Sequence, residues 1–178
     1  MTAHGMLQFI SNRDHRLMRK VNKWPAPKWI RLSAVGATKA GDGWLWYLIG
    51  LSILLFGGSD RLTAIASAGS AAFAGTGIFI SLKKISGRKR PCEIEPHCWA
   101  RLLPPDQFSF PSGHTITAFS VAVSLGEFYP MLLVALIACA LAIATSRILL
   151  GMHFLSDVIV GAVLGTGLAM SSHLLFTQ

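Results

Sequence analysis

The chain has 178 residues, 52% of them hydrophobic and only 13% charged, with a formal net charge of +8. A soluble domain is about 25% charged, so the composition excludes an ordinary soluble protein, and the length suits a single domain, 1–178. The positive balance alone would suit nucleic acid. No nucleic-acid motif is present, however, and the long uncharged stretches make a bilayer with anionic lipid the expected partner instead.

Residues 1–41 interleave Arg13, Arg16, Arg19, Lys20, Lys23, Lys28, Arg31 and Lys39 with Leu17, Met18, Val21, Trp24, Trp29 and Ile30. This predicts amphipathic helices lying in the membrane interface, broken at Pro25 and Pro27. A solvated basic tail is the alternative, and the Trp and Leu residues argue against it. The first apolar stretch, Met6 to Ile10, is too short for a cleavable signal peptide.

Residues 42–178 read as an all-α, polytopic membrane bundle. A membrane helix needs about 20 apolar residues, and uncharged runs predict five spans over 43–59, 62–82, 112–128, 130–148 and 154–176. The third is short, and its start is expected to be sunk in protein. Gly161 and Gly165 suit close helix packing within one bundle more than a dimer face. Five spans place residues 1–41, the polar loop 83–111 and the 147–153 connection on one membrane side. All but Arg61 of the 16 Lys and Arg residues lie there, which by the positive-inside rule favours the cytoplasmic face of the inner membrane.

Cys139 lies in an apolar run and reads as a packing residue. Cys92 and Cys98 share the polar loop, where a disulfide and two free thiols are both consistent. No zinc-type spacing surrounds them, so no metal site is expected.

Three motifs fall at the ends of the spans on this side. The first is Lys83-x6-Arg90-Pro91. It reads either as a positive-inside anchor or as a phosphate clamp, since Arg grips phosphate oxygens with a planar fork and Lys adds a compact charge. The second is Pro111-Ser112-Gly113-His114. Ser112 is a natural N-cap, the free N–H groups of a helix start attract anions, and Gly113 permits close backbone approach. A capped helix with an interfacial histidine is the alternative. The third is Ser146-Arg147-x5-His153-x3-Asp157. His153 and Asp157, four apart, are expected on one helical face, where the carboxylate would fix the imidazole tautomer. An Arg147–Asp157 ion pair tethering two helices is the alternative.

Together the three motifs resemble those of the type 2 phosphatidic acid phosphatase (PAP2) superfamily, over about residues 40–176. Members are helical bundles, commonly of six spans in the membrane branch, and residues 10–41 resemble the interfacial segment that follows the first of these. The resemblance implies a membrane lipid-phosphate phosphatase that needs no metal or cofactor. In bacteria it more often implies an extracytoplasmic site, with which a Cys92–Cys98 disulfide would agree, against the cytoplasmic face that the positive-inside rule favours. By this likeness His153 is the nucleophile forming a phosphohistidine, and Asp157 orients it. His114 protonates the leaving oxygen and then activates water. Lys83, Arg90, Arg147, Ser112 and Gly113 bind the phosphoryl oxygens. Candidate substrates are phosphatidic acid, phosphatidylglycerophosphate, isoprenyl phosphates or diphosphates, and lipid A phosphates. Trp99, Phe108 and Phe110 in the 92–110 loop are expected lipid contacts. A non-catalytic lipid-phosphate-binding protein is the rival reading.

Overall fold

A computed structural model describes residues 3–94 and 107–178. Helix α1 (Ala3–Lys23) and α2 (Lys28–Ala40) are separated at residues 24–27, where Pro25 and Pro27 each lack the N–H a continuous helix needs. There follow α3 (Trp44–Phe56), α4 (Arg61–Ser86), the single turn α5 (Pro91–Ile94), α6 (Gly113–Phe128), α7 (Pro130–Leu149) and α8 (Leu155–Thr177). The described residues form no strand; an isolated bridge joins Lys89 to Phe108.

Three stretches are long and apolar enough to cross a membrane: Gly58–Ser86, which contains α4, and the helices α7 and α8. The five expected spans are all helical, but two are short. At 1.5 Å per residue α3 extends roughly 20 Å and α6 roughly 24 Å, less than the ~30 Å hydrocarbon core. For α6 the reason is its place. It packs against α4, α7 and α8 at the centre of the bundle, so protein rather than lipid surrounds it. The large apolar side chains of the other spans, such as Phe73, Phe56 and Met131, stand exposed on the outside, as helices facing lipid require.

Small residues draw the central helices together. A Cβ on Gly165 would lie 2.5 Å from the Ile116 carbonyl oxygen, and one on Gly161 would lie 2.9 Å from that of Ser112. Both glycines therefore seat α8 against α6, within the bundle, as small-residue spacing does in membranes. Ser172 of α8 meets Ser67 and Ser70 of α4 at 3.2 and 2.7 Å, so the buried hydroxyls of Ser67 and Ser172 are satisfied across the interface. Gly165→Ala should lower the unfolding midpoint in detergent, because overpacking against backbone costs about 1–3 kcal/mol. Gly167→Ala, with nothing within 4 Å, is the matched control and should leave the midpoint unchanged.

Candidate active site

The site lies where four elements end. Helix α4 stops after Lys83 and Lys84 with Gly87 in the left-handed conformation (φ 57°), a cap that glycine adopts without strain. The chain then turns back, and the Ser109 N–H donates to the Arg88 carbonyl at 2.7 Å. With the Lys89–Phe108 bridge, this clamps together the two ends of the 88–109 loop and brings the Ser109 backbone to the bundle end. Residues 95–106 are outside the described residues. The Cys92–Cys98 pairing and the Trp99 lipid contact fall there; Cys92 itself is a free thiol.

The turn between α7 and α8 supplies the nucleophile candidate. The Arg147 carbonyl accepts from the Met152 and His153 N–H groups at 3.0 and 3.2 Å, which folds residues 147–153 tightly. Arg90 is almost wholly buried and donates from Nη1 to the Met152 carbonyl at 2.9 Å. The same Nη1 lies 3.3 Å from His153 Nε2. His153 Nδ1 lies 2.6 Å from the Ser109 carbonyl oxygen. A carbonyl can only accept and a guanidinium can only donate. Both contacts therefore require the same tautomer, with the proton on Nδ1 and the lone pair on Nε2.

The orienting group is thus the Ser109 carbonyl, not the Asp157 carboxylate expected from sequence. Asp157 Oδ2 is 3.8 Å from Nδ1. His153 also precedes α8 rather than sharing a helical face with Asp157. Oδ2 accepts the Phe154 N–H at 2.8 Å and so caps α8. Oδ1 accepts Arg88 Nη1 at 2.7 Å. The cation facing Asp157 is therefore Arg88, not Arg147. Arg147 is instead bonded through Nη1 to Thr38 of α2 at 2.8 Å.

Of the eight residues singled out in the sequence, Lys83, Arg90, Gly113, His114, Arg147 and His153 line one cavity of about 420 Å³. Ser112 and Asp157 sit fully buried behind it, joined by the Ser112 N–H donating to the Asp157 carbonyl at 3.2 Å. Ser112 occupies the N-cap position of α6, but its hydroxyl accepts from Thr115 Oγ1 at 2.9 Å instead of capping a backbone N–H. Lys83 Nζ lies 4.4 Å from the centre of the Phe79 ring, which also closes on Gly113.

Sequence reasoning missed Asp14, Thr38, Asp42 and Ser109, and saw Arg88 only as one cation of the basic cluster between Lys83 and Arg90. Asp42 Oδ1 is 2.7 Å from His114 Nε2. Asp14, buried on α1, accepts Arg88 Nη2 at 2.8 Å and the Ser156 N–H at 3.1 Å, and pairs with the Ser156 hydroxyl. The one available signal was a carboxylate within a basic amphipathic segment.

Burial and then the charges of Arg147 and Arg90 push the His153 imidazole well below its ordinary range, against the Ser109 carbonyl, which favours its protonation. A histidine so depressed stays neutral, lone pair available, through and below the ordinary histidine range. Corrected for substrate ionisation, kcat/KM should therefore show no acid limb with its midpoint in that range. An acid limb with its midpoint there that responds to His153 substitution would contradict this.

A cavity lined by three cations and two histidines, at one end of a helical membrane bundle, defines a membrane protein built to hold an anion beside an imidazole. The PAP2 superfamily model matches residues 61–178. A lipid A 1-phosphatase of Rhizobium johnstonii is 29% identical, covering 88% of this chain and 71% of that protein. A decaprenylphosphoryl-5-phosphoribose phosphatase of Mycobacterium tuberculosis is 36% identical over 98 residues, 55% of this chain and 53% of that protein. The chain thus spans about half the length of the mycobacterial relative. Among solved structures, Aquifex aeolicus LpxE superposes with a TM-score of 0.71 at 27% identity, covering 88% of this chain and 92% of its own. A transmembrane PAP2-type phosphatidylglycerolphosphate phosphatase of Bacillus subtilis gives 0.71 at 24%, covering 93% and 85%, a likeness of fold. The chain belongs to the PAP2 superfamily.

Proposed function

We propose that this chain is a membrane lipid-phosphate phosphatase acting through a phosphohistidine at His153. The observation that carries the reading is the pinned tautomer: Ser109 and Arg90 together leave the Nε2 lone pair of a buried, neutral imidazole beside the cation-lined cavity. A lone pair held there is a nucleophile that needs no base to remove a proton first.

The chemistry follows from the charges. Lys83, Arg90 and Arg147 take the phosphoryl oxygens, with the Gly113 N–H at the start of α6 as a further donor. His153 Nε2 attacks phosphorus, the bond to the lipid oxygen breaks, and His114 gives that oxygen a proton. Water then loses a proton to His114, attacks the phosphohistidine and frees phosphate. Asp157 acts at one remove, by capping α8 and holding Arg88. Ser112 does likewise, by tying α6 to α8.

The lipid character of the substrate is supported by a second, apolar cavity of about 530 Å³. It shares Gly43, Tyr47 and Thr117 with the site and continues between α3, α4 and α6. The relatives act on lipid A, on a decaprenylphosphoryl sugar and on phosphatidylglycerophosphate, which brackets the substrate class here as a phosphate on a membrane lipid. The basic helices α1 and α2 lie in the interface of the inner membrane, and the positive-inside rule puts the site at its cytoplasmic face. A tag at Met1 labelled from outside intact cells would reverse that orientation.

The direct test is to quench turnover of a phosphorus-labelled lipid phosphate by detergent-purified protein in EDTA. Acid-labile, alkali-stable label on His153 is the expected result. Phosphate release without it would refute the covalent route. Binding without release from any of the four candidate lipid classes would favour a lipid-phosphate-binding protein.

A further inference from the structure

Asp42 stands in the turn Gly41-Asp42-Gly43 between α2 and α3, and each neighbour is fitted to bring it to the site. A Cβ on Gly41 would lie 2.8 Å from Ile143 Cγ2 and 3.2 Å from His114 Cδ2, so only glycine lets the turn close on the imidazole. Gly43 has φ +124°, a conformation that L side chains rarely adopt. The turn sets the Asp42 carboxylate 2.7 Å from His114 Nε2, and all three of its residues line the cavity. Asp42 is the one carboxylate among the described residues lining that cavity.

The other charged or titratable groups lining the cavity with His114 are Tyr47 from α3, Lys83 from α4, Arg90 from the segment before α5, Arg147 from α7, and His153. Three cations oppose a protonated imidazole. A proton donor to the leaving oxygen is nevertheless what the proposed first step needs, and a lipid alkoxide is too poor a leaving group to depart without one. A carboxylate on one imidazole nitrogen favours the imidazolium and fixes the ring, leaving the other nitrogen for proton transfer.

We propose that Asp42 is a positioning residue for His114, forming with it an Asp–His pair that sustains protonation of the lipid leaving group. This rests on the reading of His114 given above. Asp42 accepts from Nε2–H throughout. In the first step the P–O bond breaks as Nδ1–H gives its proton to the lipid oxygen. In the second, Nδ1 takes a proton from water while the oxygen bonds to phosphorus and the P–N bond to His153 breaks. Asp42 itself is not consumed or protonated.

The test compares a good with a poor leaving group on the full chain in detergent. kcat/KM, which reports steps through phosphohistidine formation, is measured for a long-chain alkyl phosphate and for 4-nitrophenyl phosphate. Wild type, Asp42→Asn, Asp42→Glu and His114→Gln are compared, with inhibition by orthovanadate as a check on the anion site. Asp42→Asn is expected to lose about 10²-fold on the alkyl phosphate and almost nothing on the aryl phosphate. Asp42→Glu should regain most of the loss. Vanadate inhibition should be no weaker, since no phosphate donor is removed.

Equal losses on both substrates would mean that Asp42 only supports the turn. A gain on the alkyl phosphate would mean that it covers His114 in the resting site. Either overturns the proposal while the assignment of His114 stands, provided that His114→Gln shows the leaving-group dependence. If His114→Gln does not, the assignment of His114 fails and the proposal with it. Should Asp42→Asn not fold, Asp42→Ser carries the same comparison.

Discussion

His153→Gln is expected to reduce kcat/KM by about 10⁴-fold or more, equivalent to at least about 5.4 kcal/mol of transition-state stabilisation. Gln is chosen because it leaves no void and keeps an N–H for the Ser109 carbonyl that now lies 2.6 Å from Nδ1. What it removes is the Nε2 lone pair. The cations Lys83, Arg90 and Arg147 remain, so inorganic phosphate should still bind, and the loss should fall on kcat rather than KM. A variant within tenfold of wild type would show that water attacks directly or that another group is the nucleophile. Loss of phosphate binding together with activity would instead mean that the substitution has collapsed the site. The two readouts separate a chemical role from a structural one.

What was legible in the sequence follows from where each interaction lies along the chain. The break at Pro25 and Pro27 is a local backbone effect, and the helices stop there. Six of the eight motif residues line one cavity, because an even progression of spans forces their ends onto one side. Gly161 and Gly165 pack α8 on α6, as residues too small to keep two backbones apart. The partners were not legible. Asp42 is 72 positions from His114, and Asp14 is 142 from Ser156; neither spacing follows a helical or strand period. The expected role of Asp157 went astray for a related reason. The i, i+4 rule assumes one continuous helix, and α8 begins two residues after His153, so the carboxylate turns to the helix start while a backbone carbonyl takes the imidazole. No side-chain pattern announces a carbonyl.

Arg88→Met is expected to destabilise the folded protein by about 3 kcal/mol, the lower end of the range for breaking a buried ion pair by removing one partner. The lower end applies because Arg88 itself is a quarter exposed. Its Nη1 donates to Asp157 and Ser156, both at 2.7 Å, its Nη2 donates to Asp14 at 2.8 Å, and its guanidinium stacks 4.1 Å from the centre of the Phe154 ring. Asp14 and Asp157 are 3% and 0% exposed. Methionine preserves the stem and its contact with Phe154, but leaves two buried carboxylates around Ser156 without the cation between them. Adding Asp14→Asn to Arg88→Met should therefore recover part of the loss, although Asp14→Asn alone should destabilise. That sign reversal is the mark of a shared network and would not arise from independent sites. The unfolding midpoint in detergent gives the stability cycle, and phosphate release from each folded variant gives the functional one. A fall in activity larger than the fall in folded fraction would tie α1 to catalysis, since α1 reaches the α8 start through Asp14 and through His15, whose ring meets Phe154 edge-on at 5.0 Å, and Phe154 follows His153 directly. If Arg88→Met were as stable as wild type, with only KM raised, Arg88 would instead be serving the substrate, and the link from α1 to the α8 start would have to rest on the Asp14–Ser156 hydrogen bonds and the His15–Phe154 ring contact.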